Sequence, residues 1–185
     1  METFFISDCH FGHKNIIKYC DRPYSSVNEM DEDMIQKWNK KVHKNDNVYI
    51  IGDLFYFQID NITSILNRLK GKKILIRGNH DDFFLKKINI NKYFVDVLYY
   101  QEIRLRRNEL TLCHYPLYSW KNSRRSNSYL IFGHVHNNRD MYWFDYYCQN
   151  DKALNAGVDI NNFEPVSFEE LNNNNNNFKR CYRVN

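Results

Sequence analysis

The sequence predicts an α/β protein in which two mixed β-sheets pack against each other and are flanked by helices. In the first half, apolar runs of strand length alternate with segments of helical period, as in parallel strands joined by helices. In the second half, strand-like runs follow one another with little helix between them. A length of 185 residues suits one substantial core and is short for two, so we expect a single domain over residues 1–185.

Eight short apolar runs are predicted to be β-strands because their length and their β-branched or aromatic content suit strands. The first three are separated by helical segments and are expected to pair in parallel through right-handed crossovers. The fourth, fifth and sixth are closely spaced and are expected to be antiparallel. In chain order the runs are Thr3 to Ile6, Val48 to Ile51, Ile74 to Ile76, Val95 to Tyr100, Glu102 to Leu105, Leu110 to Cys113, Tyr129 to Phe132 and Leu154 to Val158.

Two helices are predicted from apolar residues at helical spacing. One runs from Ser26 to Val42 and opens with Ser26-x-x-Glu29, a capping box whose side chains satisfy free amides of the first turn. The other runs from Ile62 to Leu69 and is followed by Gly71, a residue favoured just beyond a helix.

A short helix is also predicted after a second capping box, Ser167-x-x-Glu170. It would run into an unbroken asparagine tract, residues 172–177. Because asparagine is a poor helix former, the tract is expected to be a surface loop or a frayed helix end without function.

The composition indicates a globular protein. Hydrophobic residues make up 43% of the chain, which argues against disorder, and no apolar run is long enough for a membrane span. The first residues lack a basic region, so we expect no secretory signal. Five scattered cysteines without a C-x-x-C pair suit reduced thiols, and a cytoplasmic location is predicted. Cys9 and Cys113 are interpreted as small core residues, with metal binding by Cys9 as a lesser alternative.

Six of the seven histidines lie in short polar clusters that follow strand-like runs. Loops after strands are where a sheet gathers side chains from distant parts of the chain, and imidazole and carboxylate groups are metal ligands. The pattern therefore predicts a metal site. The clusters read Asp8-Cys9-His10-Phe11-Gly12-His13, Gly52-Asp53, Gly78-Asn79-His80-Asp81, Cys113-His114 and Gly133-His134-Val135-His136.

The donor set favours two metal ions over one. Asp8 and His10 are two residues apart and would share a face of extended chain, and Asp53 could bridge two cations with its two oxygens. With the histidines and the amide of Asn79 included, the number of donor groups is larger than one tetrahedral ion can bind. Two metals about 3.5–4 Å apart would lower the pKa of a bridging water and neutralise charge on phosphate oxygens. His80, left uncommitted, could protonate a leaving oxygen.

These motifs, in this order, resemble the calcineurin-like metallophosphoesterase superfamily. The resemblance runs from the first strand to the middle of the second half of the chain. Three further segments are similar to its small, single-domain bacterial and phage members. They are Phe11-Gly12-His13-Lys14-Asn15-Ile16-Ile17, His114-Tyr115-Pro116 and Asn155-Ala156-Gly157-Val158-Asp159.

The resemblance implies the fold of that superfamily and a metal-bridging hydroxide as nucleophile. It also implies a role for each residue that matches one of the superfamily's motifs. Its protein phosphatases extend Gly-Asp with a further Asp and an Arg-Gly, which are absent after Gly52-Asp53. A protein-phosphatase activity is therefore disfavoured, and the partner that orients His80 is left open, with Asp81 as a candidate. The implied roles place Asp8, His10 and His136 on the first metal, Asn79, His114 and His134 on the second, Asp53 between them, and His80 as proton donor or leaving-group stabiliser.

Four other residues are candidate substrate contacts: His13, Arg77, Trp120 and Arg125. His13 lies just past the Asp8 and His10 ligands and could equally touch substrate or fix its loop. Arg77 is a candidate phosphate ligand, with a structural ion pair as an equal alternative. Trp120 and Arg125 follow His114 and could stack a base and contact phosphate, although packing of Trp120 onto the sheet is slightly favoured. His43 lies in a polar helix end and is left out of the site.

The predicted function is hydrolysis of phosphodiesters, with a nucleotide or nucleic acid as substrate. A small domain without a cap leaves an open site, and nearby aromatic and basic residues suit a nucleotide. The alternatives are a broad phosphomonoesterase and a non-catalytic interaction scaffold, which should have lost ligands. The cofactor is predicted to be two divalent ions among manganese, iron, nickel and zinc, with manganese favoured. No membrane partner is expected, and the oligomeric state is left open.

Overall fold

The computed structural model describes residues 1–56, 61–140 and 143–183. Its first sheet contains four strands in the order β1-β2-β3-β4, all parallel, which confirms the parallel pairing predicted for the first half. These strands are β1 (Thr3–Ile6), β2 (Asn47–Ile50), β3 (Lys72–Ile76) and β4 (Phe94–Leu98).

The second sheet is mixed and has the order β5-β6-β7-β8. Strands β5 and β6 are antiparallel, whereas β7 runs parallel to β6 and β8 runs parallel to β7. The predicted α/β fold with two sheets is confirmed. The strands are β5 (Tyr100–Leu105), β6 (Asn108–Cys113), β7 (Ser128–Phe132) and β8 (Ala153–Asn155).

Two strand predictions are wrong. The run predicted as one antiparallel strand from Val95 to Tyr100 is divided: β4 ends at Leu98 and pairs in parallel with β3, and Tyr100 begins β5 in the other sheet. Close spacing along the chain suggested a hairpin, but the chain changes sheets there. The last predicted strand is also too long, because β8 ends at Asn155 and Val158 starts a short 3₁₀ helix (Val158–Ile160).

The helices lie outside and between these strands. Helix α2 (Val27–Lys41) begins after Ser26, whose Oγ accepts a hydrogen bond from the backbone N–H of Glu29 at 3.2 Å, as the capping box predicts. The Glu29 carboxylate accepts from the backbone of Ser25, one residue earlier than expected. The helices are α1 (Ile16–Tyr19), α2 (Val27–Lys41), α3 (Ile62–Arg68), α4 (Asp81–Leu85), α5 (Ile90–Tyr93), α6 (Phe144–Gln149) and α7 (Phe168–Arg183).

Three apolar layers hold the molecule together. One lies between the first sheet and helices α2 and α3, and it includes Phe4 and Trp38. A second lies between the sheets, where Phe5 meets side chains such as Leu112. A third covers the outer face of the second sheet with α6. Neighbouring residues of β1 point into different layers, as expected of a strand buried on both faces.

The asparagine tract does not form the loop that its composition predicts. It continues α7, whose capping box is complete: Ser167 N–H donates to Glu170 at 2.8 Å and Glu170 N–H donates to Ser167 Oγ at 3.3 Å. Asn175 is fully buried, and its Oδ1 accepts from the Tyr147 hydroxyl at 2.5 Å and from the Asn155 N–H at 2.7 Å. Tertiary hydrogen bonds outweigh the low helix propensity of asparagine.

Within these described ranges, no helix combines the length and the apolar composition needed to cross a membrane. The loops that carry the polar clusters instead share one location. Each cluster follows the carboxyl end of β1, β2, β3, β6 or β7. Since parallel strands end at the same edge of a sheet, this arrangement brings the clusters together.

Candidate active site

Five of the seven predicted ligands sit on backbone in the left-handed region. The φ angles are 56° at Asp8, 50° at His10, 54° at Asp53, 72° at His134 and 51° at His136. Non-glycine residues seldom adopt this conformation, which costs on the order of 1–3 kcal/mol each. Asp8 and His10 therefore meet through turned backbone and not, as expected from their spacing, through extended chain.

The first half of the site consists of Asp8, His10 and His136. One donor atom from each lies within 4.8 Å of the others, and His136 Nε2 is 4.0 Å from Asp8 Oδ1. Asp8 and His10 are buried, and their carboxylate and imidazole face the same point as His136. The structure thus brings together the three residues expected on the first metal.

The second half consists of Asp53, His114 and His134, whose donor atoms also lie within 4.8 Å of one another. Asn79 belongs to this group, because its Oδ1 is 3.2 Å from His114 Nε2 and 3.0 Å from His134 Nδ1. All four residues expected on the second metal are therefore in place.

Asp53 joins the two halves through one oxygen. Its Oδ2 is 3.7 Å from His10 Nε2 and 3.5 Å from His114 Nε2, so the same atom faces both groups. Its Oδ1 accepts a hydrogen bond from the His80 N–H at 2.9 Å. The backbone therefore holds Oδ1 and leaves Oδ2 facing both groups, and the sharing of the two oxygens between two cations stays a prediction.

Two histidines are held so that Nε2 faces the site. The Nδ1 of His114 is 2.8 Å from the carbonyl of Ile51, which can only accept, so this nitrogen carries the proton. The Nδ1 of His136 is held in the same way by Asp159 Oδ2 at 2.8 Å. Such partners fix the tautomer that a metal ligand needs.

Arg22 extends the support of His136. Its Nε donates to Asp159 at 2.7 Å, and its two terminal nitrogens donate to the backbone carbonyls of Cys9 and Asp8 at 2.9 and 2.8 Å. The side chains of Arg22 and Asp159 are both buried. Arg22 and Asp159 therefore connect the turn that carries Asp8 with the imidazole of His136.

The charges of the site are strongly interdependent. Burial lowers the pKa of His136, but the hydrogen bond to Asp159 and the charge of Asp8 outweigh it and raise this pKa to about 11. Burial likewise lowers the pKa of His114, and bonding to Asp53 together with the charge of Asp8 raises it to about 9. The pKa of His10 is lowered by burial, and that of Asp8 is raised by it. Two buried carboxylates thus favour a cationic partner.

Two glycines allow the loops to approach this closely. A Cβ on Gly78 would lie 2.2 Å from Asp53 Oδ1, and a Cβ on Gly133 would lie 2.6 Å from Asp8 Oδ2. Asp81 fastens the same loops, since its buried carboxylate accepts from the N–H groups of Gly78, Asp53 and Leu54 at 2.7–3.0 Å. Asp81 therefore braces the backbone, and these bonds do not make it the orienting partner considered for His80.

His80 lies beside the first half of the site. Its ring centre is 5.2 Å from that of His10 at an interplanar angle of 70°, and the residue is half-buried just before α4. It is not part of either ligand group, which leaves its imidazole available to a bound molecule.

The residues predicted to contact substrate occupy different places. His13 adjoins the site, with its ring 5.5 Å from that of His10, stacked on Tyr56 at 3.8 Å. Burial lowers the pKa of His13 to about 4. Arg77 is ion-paired with Asp82 and its guanidinium lies over the Tyr99 ring.

Trp120 and Arg125 are not brought to the ligand groups. Trp120 is buried and donates its indole N–H to Ser128 at 3.1 Å. Arg125 pairs with Glu109, near the start of β6, whereas His114 follows the end of that strand. Five residues of strand separate Glu109 from His114 by about 17 Å.

Sequence reasoning assigned no site role to Arg22 or Asp159. Asp159 ends the Asn155-Ala156-Gly157-Val158-Asp159 segment noted for its resemblance, which was a usable signal. Cys20, His136 and Asp159 form a third group of nearby donors. The oxygens of Asp159 are already engaged by His136 and Arg22, so this group is the weaker metal candidate. Cys9 packs in the apolar layer behind the site, and burial raises its pKa.

The donors fit a pair of divalent cations. Both ring nitrogens of His10 are buried, and among the described residues neither has a hydrogen-bond partner, a costly state for an imidazole unless a ligand engages it. Asp8, His10 and His136 would hold one ion, Asn79, His114 and His134 the other, and Asp53 would contact both.

Comparisons with known proteins agree with this geometry. The sequence profile of the family described as calcineurin-like phosphoesterase matches residues 1–162. An uncharacterized protein of Methanocaldococcus jannaschii is 35% identical over 171 residues, which cover 91% of this chain and 88% of that protein. The Gene 66 protein of Mycobacterium phage L5 is 37% identical over 83 residues, 43% of this chain and 39% of its own.

The fold is similar to a solved structure as well. A protein of unknown function from Aquifex aeolicus superimposes with a TM-score of 0.71 and 27% identity, over 92% of this chain and 97% of that one. The match of the family profile extends over most of the chain and includes every predicted ligand. The chain belongs to the calcineurin-like phosphoesterase family.

Proposed function

We propose that this phosphoesterase is a binuclear metal-dependent phosphodiesterase that acts on nucleotides or nucleic acids. The observation that carries the proposal is the pair of three-donor groups joined by Asp53 Oδ2. When bound, two metals at such a site lower the pKa of a water molecule and neutralise charge on phosphate oxygens. None of the predicted ligands is missing, which argues against a scaffold without catalysis.

The side chains have distinct tasks in this proposal. His114 and His136 present Nε2 to the site because Ile51 and Asp159 hold their other nitrogens. The imidazole of His80, outside both groups, donates a proton to the oxygen that leaves phosphorus. The His80 N–H also holds Asp53 Oδ1, so the same residue fixes the bridge.

The surroundings favour a diester over a monoester. A groove of about 610 Å³ extends from His134 and His136 between α1 and the loop that follows β7. A single phosphate group with a small alcohol would leave most of this groove unused. A diester with a substituent on each side would occupy more of it.

The experiment compares bis(p-nitrophenyl) phosphate with p-nitrophenyl phosphate on manganese-loaded protein, His80→Asn and His43→Asn. We expect the diester to be hydrolysed faster. His80→Asn should lose about 10²–10⁴-fold in rate with unchanged metal content. The His43 ring lies at the surface beside Asp46, so His43→Asn should hydrolyse both substrates at the rates of the parent protein. Preference for the monoester would refute the diester assignment, and full activity of His80→Asn would refute its role.

We propose manganese as the resident metal, although His, Asp and Asn donors also serve iron, nickel and zinc. Reconstitution of metal-free protein with each ion at equal concentration, followed by the diester assay, tests this choice. Higher activity with any of the other three ions would contradict it.

A further inference from the structure

Two exposed tyrosines stand beside the two ligand groups. Tyr19, in α1, is 74% exposed, and Tyr115, next to His114, is 45% exposed. Single exposed aromatic rings are common at protein surfaces, so the position of these two rings beside the ligand groups is the informative observation. An exposed ring next to a phosphate-binding site is a surface on which a substrate group can stack.

Ring contacts place each of these tyrosines beside a different ligand group. On one side, the Tyr19 ring is 6.2 Å from the His13 ring, which neighbours His10 of the first ligand group. On the other side, the Tyr115 ring is 5.1 Å from the ring of His114 and 4.9 Å from that of His134, both in the second group. A phosphate held between the groups would have one tyrosine near each of them.

The groove beside Tyr19 is nearly balanced in charge. Its lining includes Tyr19, His134 and His136, and its charged side chains outside the ligand groups are Arg139, Asp21 and Asp140. One guanidinium against two carboxylates offers little attraction for a polyanion. Stacking, and not charge, is therefore the interaction that this surface can supply to the flanking parts of a substrate.

We propose that Tyr19 and Tyr115 stack bases on the two sides of the scissile phosphate, and that the substrate is single-stranded nucleic acid. The inference rests on the proposed phosphodiesterase function and specifies its substrate. A strand places a nucleoside on both sides of every internal phosphate, as the two tyrosines require, whereas a monoester has only one substituent. In a duplex the bases are stacked on each other and cannot reach the rings without unpairing.

Binding without metal separates this inference from the proposed chemistry. Fluorescein-labelled oligo(dT) of twelve nucleotides is titrated with metal-free protein and followed by fluorescence anisotropy. The variants are Tyr19→Ala, Tyr115→Ala, their phenylalanine counterparts, and Tyr100→Ala as control. Tyr100 is 44% exposed on β5, so it matches Tyr115 in exposure but lies outside the ligand groups.

We expect each of the two alanine variants to bind about 5-fold or more weakly, since one base–aromatic stack contributes at least about that factor. The phenylalanine variants, which keep the ring, and Tyr100→Ala should bind like the parent. A twelve-residue abasic strand and a duplex should bind more weakly than oligo(dT). Equal binding of duplex and single strand, or parent-like binding by both alanine variants, would overturn the inference.

Turnover by manganese-loaded protein gives the second measurement. Thymidine 5′-(p-nitrophenyl phosphate) and methyl p-nitrophenyl phosphate release the same group and differ in the nucleoside. The parent should prefer the thymidine ester over the methyl ester, and at least one of Tyr19→Ala and Tyr115→Ala should reduce the ratio of the two rates. Hydrolysis of both esters without preference would refute the stacking role but leave the phosphodiesterase proposal standing. Tight oligo(dT) binding without any diester hydrolysis would refute the phosphodiesterase proposal but not the stacking surface.

Discussion

Replacement of Asp159 by Asn tests how the first ligand group is supported. Asp159 uses one oxygen for Arg22 Nε and the other for His136 Nδ1. Asparagine keeps one acceptor and gains a donor. If its oxygen keeps the bond to buried Arg22, its NH₂ faces His136 Nδ1, which must then become an acceptor. The imidazole proton moves to Nε2, the atom directed at Asp8.

The expected loss can be estimated from this change of tautomer. Alteration of a residue that orients a metal ligand typically weakens metal binding about 10–100-fold, or about 1.4–2.7 kcal/mol. The loss should affect one ion only, because His114 is fixed by Ile51 and is independent of Asp159. The Asp159→Asn protein should therefore bind the metal in the His114 group as tightly as the parent does. It should bind the metal in the His136 group about 10–100-fold more weakly.

Isothermal titration calorimetry with Mn²⁺ and metal analysis after dialysis measure the difference in affinity between the two metal sites. Asp46→Asn is the matched control, because Asp46 is buried and accepts backbone bonds from Glu2 and His43 away from the site. Thermal unfolding shows that both variants are folded at the assay temperature. Two parent-like sites in Asp159→Asn, or equal weakening of both sites, would refute the reasoning.

Three further predictions concern stability and the close approach of loops. Burial raises the pKa of Asp31 to about 6 in the folded protein, above its ordinary value of 3.8, so the folded state loses up to about 3 kcal/mol as pH rises from 4 to 7. The Asp31→Asn variant has no carboxyl group to lose this proton, so urea unfolding should show that its free energy of unfolding rises relative to that of the parent from pH 4 to 7. A difference in unfolding free energy that stays constant with pH would contradict the assignment. Asn175→Ala leaves buried partners unpaired and should cost about 2–4 kcal/mol in unfolding free energy, whereas exposed Asn173→Ala should be neutral or slightly stabilising. Similar losses for the two would disprove the buried role. Gly78→Ala brings a methyl group against Asp53 and should abolish tight metal binding in a folded protein, so normal metal content would refute the predicted clash.

Hydrophobic periodicity and the order of the motifs predict much of this fold. Strand β1 has the predicted ends, and α2 begins at its predicted cap, because these elements carry strong local signals. The polar clusters followed strands in the sequence, and the sheet topology made their meeting point a consequence of parallel pairing. All seven ligand candidates are close together for this reason.

The remaining features depend on contacts that local patterns do not encode. Asp and His adopt left-handed backbone more often than most residues, but this modest tendency does not predict it at Asp8 and His134, where the surrounding structure must maintain it. The support of His136 by Asp159 joins residues 23 positions apart. The passage from β4 to β5 changes sheets within one residue, although the spacing is that of a hairpin.

The asparagine run in α7 has a consequence for length variation. Any one-residue insertion or deletion within the run would still leave an asparagine opposite Asn155. The helix position that Asn175 now occupies would therefore keep its residue type. The helix beyond it would not, because one added residue turns it by about 100°. Lys179, whose Nζ donates to the carbonyls of Asn150 and Ala153 at 2.8 Å, would swing away from both. The length of the asparagine run is therefore restricted by the residues that follow it in α7.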